Sequence, residues 1–352
     1  MKTELIRLSE LSEKAFAEAI EKAAEYIRNG ELVGIPTETV YGLAGSAYYA
    51  NAAEKIFSAK GRPSDNPLIV HIAKATDAEN IAETTQTYYK LAEKFMPGPL
   101  TIILPKKSII PDTVSGGLNT VAVRCPSHPI ARMLIEVSGH PIAAPSANTS
   151  GKPSPTTAEH VYTDLCGKIP LILDGGSCSI GLESTVVALN GEDCTILRPG
   201  AVTEEMLAEI CRSVSVAEAV RSPEKAGNKP LSPGMKYKHY APNCQVILLD
   251  GADEQFISYI RKNAKGKYGI LTVEENEDIY PTEAVRLSLG KKEDYAEHCR
   301  RLFKLLRRAD ELELTRLYAK LPPESGLALA YYNRIIRAAG GNVIRIQEEH
   351  NK

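Results

Sequence analysis

Tryptophan is absent from this chain, and only five phenylalanines occur in its 352 residues. Stacking through tryptophan or phenylalanine is therefore little available, and a formal net charge of −2 supplies no bulk basic face, which argues against a general nucleic-acid binder. No apolar run approaches the ~18–20 residues that would span a bilayer, so no membrane partner is expected. The opening MKTELIRLSE carries early acids and lacks the apolar core of a secretory leader. The seven cysteines are an odd number, scattered, with no C-x-x-C pair. That pattern excludes a disulfide framework or zinc site and fits reduced thiols in a cytoplasm. Familiar catalytic kits are missing too: no G-x-G-x-x-G follows a strand, and neither H-E-x-x-H nor G-x-S-x-G occurs. The run SGKP at 150–153 is not a phosphate loop. Ser146 stands where the first glycine belongs, and Pro153 replaces the required hydroxyl residue. What remains is chemistry that needs positioning and charge neutralisation more than a covalent intermediate.

What is present suggests about two domains. Hydrophobic content of 43% and charged content of 24% are ordinary for a globular protein. Ser12 is a plausible N-cap, followed by Phe16, Ile20, Ala23 and Ile27 at helical spacing and stopped by Asn29-Gly30. Helices such as NAAEKIFSAKG and YYKLAEKFM alternate with strand runs such as LVGIP, LIVHI, LTIIL, TVAVRC, PIAAPSA, LILDGG, STVVAL and CTILRPG. The interleaving predicts an α/β domain over 1–213 with a largely buried sheet. A proline-bearing stretch of low apolar periodicity, 214–243, is too long for an ordinary connection and is expected to be a linker or lid. Strand and helix patterns resume in 244–352 as a small α/β domain.

The segment KGRPSDNPLIVH, 60–71, holds Lys60, Arg62 and His71 with one carboxylate, Asp65, among them. Arginine offers planar bidentate donors to carboxylate or phosphate, and lysine adds a point charge. Several strand candidates end on a polar residue and a turn former. If those strands run mostly co-aligned, Thr37, Arg124, Ser146, Asn148 and Arg198 would meet outside their carboxyl ends. A cavity so rich in donors suits a polyanion such as a nucleoside triphosphate. The bland alternatives are a solvated helix end for Lys60 and Arg62 and a core histidine for His71.

Seven blocks in order, PTETVYGLAGSA (36–47), KGRPSDNPLIVHI (60–72), PGPLTIIL (97–104), VAVRCPSHPIA (121–131), APSANTSGKPSPT (144–156), ESTVV (183–187) and RPGA (198–201), resemble the YrdC-like domain. The run SPGMKYKHYAP (232–242) is similar to the linker of the longer, two-domain threonylcarbamoyl-AMP synthases. The resemblance implies an open, twisted, mixed YrdC-like sheet with helices, plus a smaller Rossmann-like α/β C-terminal domain. It implies a nucleotidyltransferase that joins L-threonine, bicarbonate or carbon dioxide, and ATP into threonylcarbamoyl-AMP and pyrophosphate. Mg2+ would enter with ATP, and no protein-ligated metal is implied. The product would pass to a tRNA threonylcarbamoyl-transferase complex; tRNA contact is compatible with synthesis but not required for it.

The same resemblance assigns roles. Lys60 and Arg62 would be catalytic and face the ATP phosphates with Ser64. Thr37, His71, Arg124, the backbone of Ala144 and the hydroxyl of Ser184 would hold threonine. Thr120, Ser146, Asn148, Ser154 and Arg198 would bind ATP, and Tyr237 in the linker would close over the nucleotide. Two rivals are weaker. A hydrogenase-maturation carbamoyltransferase would carry cysteine-rich zinc motifs, and an RNA-binding module would need more charge and more rings.

Overall fold

Ser12 does cap the first helix. Its hydroxyl accepts from the Ala15 N–H at 3.4 Å, and the helix runs Glu13–Arg28 before Gly30 turns the chain at φ +70°. Ile20, Ala23 and Ile27 form its buried face. The next helix, Ala50–Lys60, ends at Gly61 in the left-handed conformation, φ +62°. Lys60 thus occupies the last turn, with its stem buried. These elements come from a computed structural model that describes residues 1–221 and 240–346. Two units separate: residues 1–150 with 154–221, and residues 151–153 with 240–346.

Among the described residues of the first unit, eleven strands form one sheet. They are β1 (Glu4–Arg7), β2 (Val33–Ile35), β3 (Gly42–Ser46), β4 (Ile69–His71), β5 (Leu100–Pro105), β6 (Thr120–Arg124), β7 (Ile142–Ala143), β8 (Leu171–Asp174), β9 (Thr185–Asn190), β10 (Asp193–Arg198) and β11 (Ser213–Val216). Their order is β1-β8-β2-β3-β7-β4-β6-β5-β9-β10-β11. The sheet is mixed: β4 and β6 are parallel, for example, whereas β5 runs against β6 and β10 against β9. The mixed sheet implied by the resemblance is thus what is found, and the co-alignment on which a meeting of polar strand ends was conditional is not met. The sheet also continues past residue 213, since β11 pairs with β10.

Strand alternation sorts the side chains of the central strands. Val70, Val123, Ile102, Val187 and Ile196 all lie in one apolar cluster, packed with Leu91, Tyr88 and Ile56. Their chain neighbours His71, Arg124, Thr101 and Val186 face the other way. A one-sided core of this kind holds register, because a slip of one residue would bury charge in it.

The second unit has five strands, β12 (Gln245–Asp250), β13 (Tyr268–Thr272), β14 (Val285–Ser288), β15 (Arg316–Lys320) and β16 (Val343–Arg345), ordered β14-β13-β15-β12-β16. All pairs are parallel, as a Rossmann-like sheet requires. Helices Asp253–Asn263, Tyr295–Glu311 and Ala328–Ala338 form its connections. Its own core includes Leu249, Phe256, Ile260, Ile270 and Tyr318.

Candidate active site

A polar row crosses the face opposite the apolar cluster. His71 on β4 pairs with Arg124 on β6, Arg124 with Thr101 on β5, Thr101 with Val186 on β9, and Val186 with Arg198 on β10. Arg198 joins this row through a register shift between Ile196 and Arg198. In an unbroken strand Arg198 would share the face of Ile196, inside the apolar cluster. The bulge turns it to the other side.

Hydrogen bonds tie the row together. Arg124 donates from Nη2 to Glu38 Oε1 at 2.7 Å, and both side chains are buried. Either charge alone would be stranded there, at a cost of about 3–5 kcal/mol. Ser184 Oγ lies 2.7 Å from Thr101 Oγ1, while Arg198 reaches Ser184 with Nε on its carbonyl at 3.0 Å and Nη2 on its hydroxyl at 3.1 Å. Ser154 donates to Glu183, next in the chain to Ser184. Thr37 is buried beside Glu38, its Oγ1 2.6 Å from the Val40 carbonyl. Ala144 spends its N–H on Ile69 O at 2.9 Å, two residues from His71.

Lys60 forms a second focus. Its Nζ donates to the carbonyls of Ser146 and, at 2.7 Å, Asn148. Ser146 Oγ in turn donates to Asn148 Oδ1 at 2.6 Å. Lys60 as a residue is only 2% exposed, so the solvated helix end is ruled out as its description.

The electrostatics are sharpest at His71. Burial, reinforced by the Arg124 charge, pulls its pKa down to about 3, so the ring is neutral at any physiological pH. For Glu38, burial pushes the carboxyl up, but the charge and hydrogen bond of Arg124 more than offset this and hold it below its ordinary value. Glu38 Oε2 and His71 Nδ1 are both buried and find no hydrogen-bond partner among the described residues.

Comparison with known proteins covers most of the chain. Residues 25–200 match the family described as "Telomere recombination", and residues 202–340 match "Threonylcarbamoyl-AMP synthase, C-terminal domain". A threonylcarbamoyl-AMP synthase of Bacillus subtilis is 44% identical over 93% of this chain and 94% of its own. That of Pyrococcus abyssi is 43% identical over 92% and 95%. The chain belongs to the threonylcarbamoyl-AMP synthase family. With the family comes its nucleotidyltransferase activity, the formation of threonylcarbamoyl-AMP. A crystal structure of P. abyssi Sua5 complexed with L-threonine superposes with a TM-score of 0.88 at 41% identity, covering 99% of this chain and all of that one.

Within this chain, the residues expected from the sequence fall into three groups. Thr37, His71, Arg124, Ala144, Ser154, Ser184 and Arg198 belong to the row and the elements bonded to it. Lys60, Ser146 and Asn148 form the second focus. Arg62, Ser64 and Thr120 are drawn into neither by the contacts above. The Arg62 guanidinium turns onto carbonyls of its own loop, Pro67 O at 3.1 Å among them, and Ser64 is exposed. Thr120 is half-buried at the start of β6, the end away from Arg124. Tyr237 lies outside the described residues, as does most of the expected lid over 214–243. Sequence reasoning passed over Glu38, Glu183 and Thr101. The signal was there: an acid stands inside PTETVYG and another opens ESTVV, both among donors and hydroxyls.

Proposed function

We propose that the row His71–Arg124–Thr101 with Glu38 is the threonine cradle and that Lys60, Arg62 and Arg198 serve the ATP side. One observation carries this reading. Glu38 Oε2 and His71 Nδ1, both buried beside a guanidinium, find no hydrogen-bond partner among the described residues. A zwitterion answers that arrangement: its ammonium satisfies Glu38 and, with the His71 proton on Nε2, the His71 Nδ1 as well, while its carboxylate takes the remaining donors of Arg124. Thr37 and Ser184 supply hydroxyls for the side chain, and Ala144 its backbone.

The chemistry follows from those positions. Glu38 accepts a proton from the threonine ammonium, and the freed amine adds to carbon dioxide, supplied directly or by dehydration of bicarbonate; as the C–N bond forms, a second N–H proton is lost to solvent. The resulting N-carboxylate attacks the α-phosphorus of ATP. As the new P–O bond forms, the α–β bridging P–O bond breaks and its electron pair leaves on pyrophosphate. Lys60, fixed by two carbonyls, and Arg62 and Arg198 stabilise the charge that builds on the phosphates, with Ser64, Thr120, Ser146, Asn148 and Ser154 as neutral donors. Magnesium enters as part of the Mg–ATP substrate. The product goes to a transferase complex that modifies the adenosine beside the tRNA anticodon. Synthesis itself requires no tRNA.

The test is pyrophosphate release from ATP and bicarbonate, with and without L-threonine and with serine as competitor. Release should depend on threonine, and Glu38→Gln should lower it about 10²–10⁴-fold, the range of a lost proton acceptor. Release that ignores threonine would refute the reading.

A further inference from the structure

The second unit contains a cavity of about 450 Å³ that no step of the synthesis uses. Its position is set by topology. From β13 the chain leaves for β14 on one side, and from the adjacent β15 it leaves for β16 on the other. Parallel sheets open a crevice where neighbouring connections diverge, outside the carboxyl ends of the strands. The cavity lies there, lined by Leu271 and Val273 at the end of β13 and by Lys320 and Leu321 at the end of β15. Its volume falls in the range of small-molecule sites.

The lining selects a ligand. Phe256, Leu289, Tyr280, Tyr295 and Tyr331 give walls that suit a flat ring. His298, also in the lining, meets Tyr295 edge-on at 5.1 Å and is held by its Nε2 on Lys291 O at 2.7 Å. At the polar corner, the place where such folds usually seat a phosphate is taken by the protein. Asp253, in the first turn of helix Asp253–Asn263, accepts from Lys320, from Lys292 at 2.9 Å and from Asn276 at 3.0 Å. One carboxylate thus occupies both lysines, and a phosphate would have to displace it. Asp250, at the end of β12 and in the cavity lining, adds an acceptor of the kind that binds ribose hydroxyls.

We propose that this cavity binds a nucleoside: a heteroaromatic ring between the aromatic walls, a vicinal diol on Asp250, and no phosphate because Asp253 occupies the anion position. It is a second site, within the C-terminal unit alone, and does not depend on how the first unit handles its substrates.

Equilibrium dialysis of labelled adenosine against the full-length chain tests it, with L-threonine and a non-hydrolysable ATP analogue at saturation to occupy the first unit. A single equivalent of adenosine should bind, with AMP at least about tenfold weaker. If the ATP analogue did not fill the first unit, a second equivalent would appear without removing this one. Val273→Trp, which fills the cavity beside β13, should abolish binding and leave threonine-dependent pyrophosphate release unchanged. Asp253→Asn should keep adenosine binding and bring AMP within about twofold of it. If Val273→Trp fails to fold, that inverted preference still decides. The proposal is overturned by absence of saturable adenosine binding at millimolar concentration, by AMP binding as tightly as adenosine to the unmodified chain, by full binding to folded Val273→Trp, or by an unaltered preference in Asp253→Asn.

Discussion

His71 shows how much a neighbourhood changes one residue. From pattern alone it is a core histidine at the end of LIVH. In the fold it is buried to 3% exposure, yet it sits in a polar row beside a guanidinium and a carboxylate. Its folded pKa, near 3, lies far below the ordinary value of about 6.5. The sign of the linkage follows. Between those values the unfolded chain binds a proton that the folded chain refuses, so stability falls as pH drops from 6.5 toward 3 and is unaffected by this group above 6.5. Burial also lowers His128, His140 and His298, and acidification finally protonates Glu38, so the measurement is a difference. Urea midpoints of the wild type and of His71→Asn should converge in pH dependence above 6.5. Below it the wild type should lose up to about 1.4 kcal/mol more per pH unit. Parallel profiles between pH 6.5 and 4.5 would show that His71 takes up its proton in the fold. At this scale the sequence was legible for residue types: Arg124, Ser184 and Arg198 stand out in their blocks. Glu38 was passed over because an acid does not belong in a cavity imagined for an anion alone. Its place in the fold depends on Arg124, 86 positions away in the chain.

Among the elements, helices with local signals were the easiest to place. Ser12, Asn29-Gly30 and Gly61 mark ends that the chain determines within a few residues. Strands were harder: β1, β3 and β11 are absent from the runs singled out by apolar pattern, because GLAGS and SVSV carry too little bulk to stand out and are strands only through their partners. The bulge in β10 has no sequence mark at all. It depends on how β9 aligns beside it. Near that bulge the RPG motif acquires a reason for its glycine. A Cβ on Gly200 would press on the Thr185 amide nitrogen and come within 2.8 Å of the Ser184 carbonyl carbon. Gly200→Ala should therefore cost about 1–3 kcal/mol, as overpacking does, and push Ser184 away from Thr101 and Arg198. Denaturation and threonine titration of this variant should show lower stability and a raised KM for threonine. A neutral substitution would mean that the start of β9 yields without moving Ser184.

For the molecule as a whole, charge and composition make the broadest prediction. A chain with net charge −2 and its site cations already engaged has little to offer a phosphate backbone in bulk. Binding of tRNA in the absence of ATP should be weak, with a log–log salt slope of only about −1 to −3, the value for a few neutralised phosphates. A steep slope, together with pyrophosphate release that requires tRNA, would instead make the chain a tRNA-dependent enzyme. No helix among the described residues is long and apolar enough to cross a membrane.

By itself the sequence determined the α/β class, the two-part organisation, the ordered blocks that place the chain among its relatives, and most residue types of the candidate site. These are local or cumulative properties, carried by caps, periodicity and composition. Tertiary structure alone decided that the candidate residues form a row across a sheet face, that a bulge turns Arg198 into it, that Glu38 pairs with Arg124, and that a second cavity opens where the connections of β13 and β15 diverge. Each of those depends on which strands become neighbours and in which direction they run. Pairing over such distances is settled by packing of the whole sheet, and no short stretch of the chain records it.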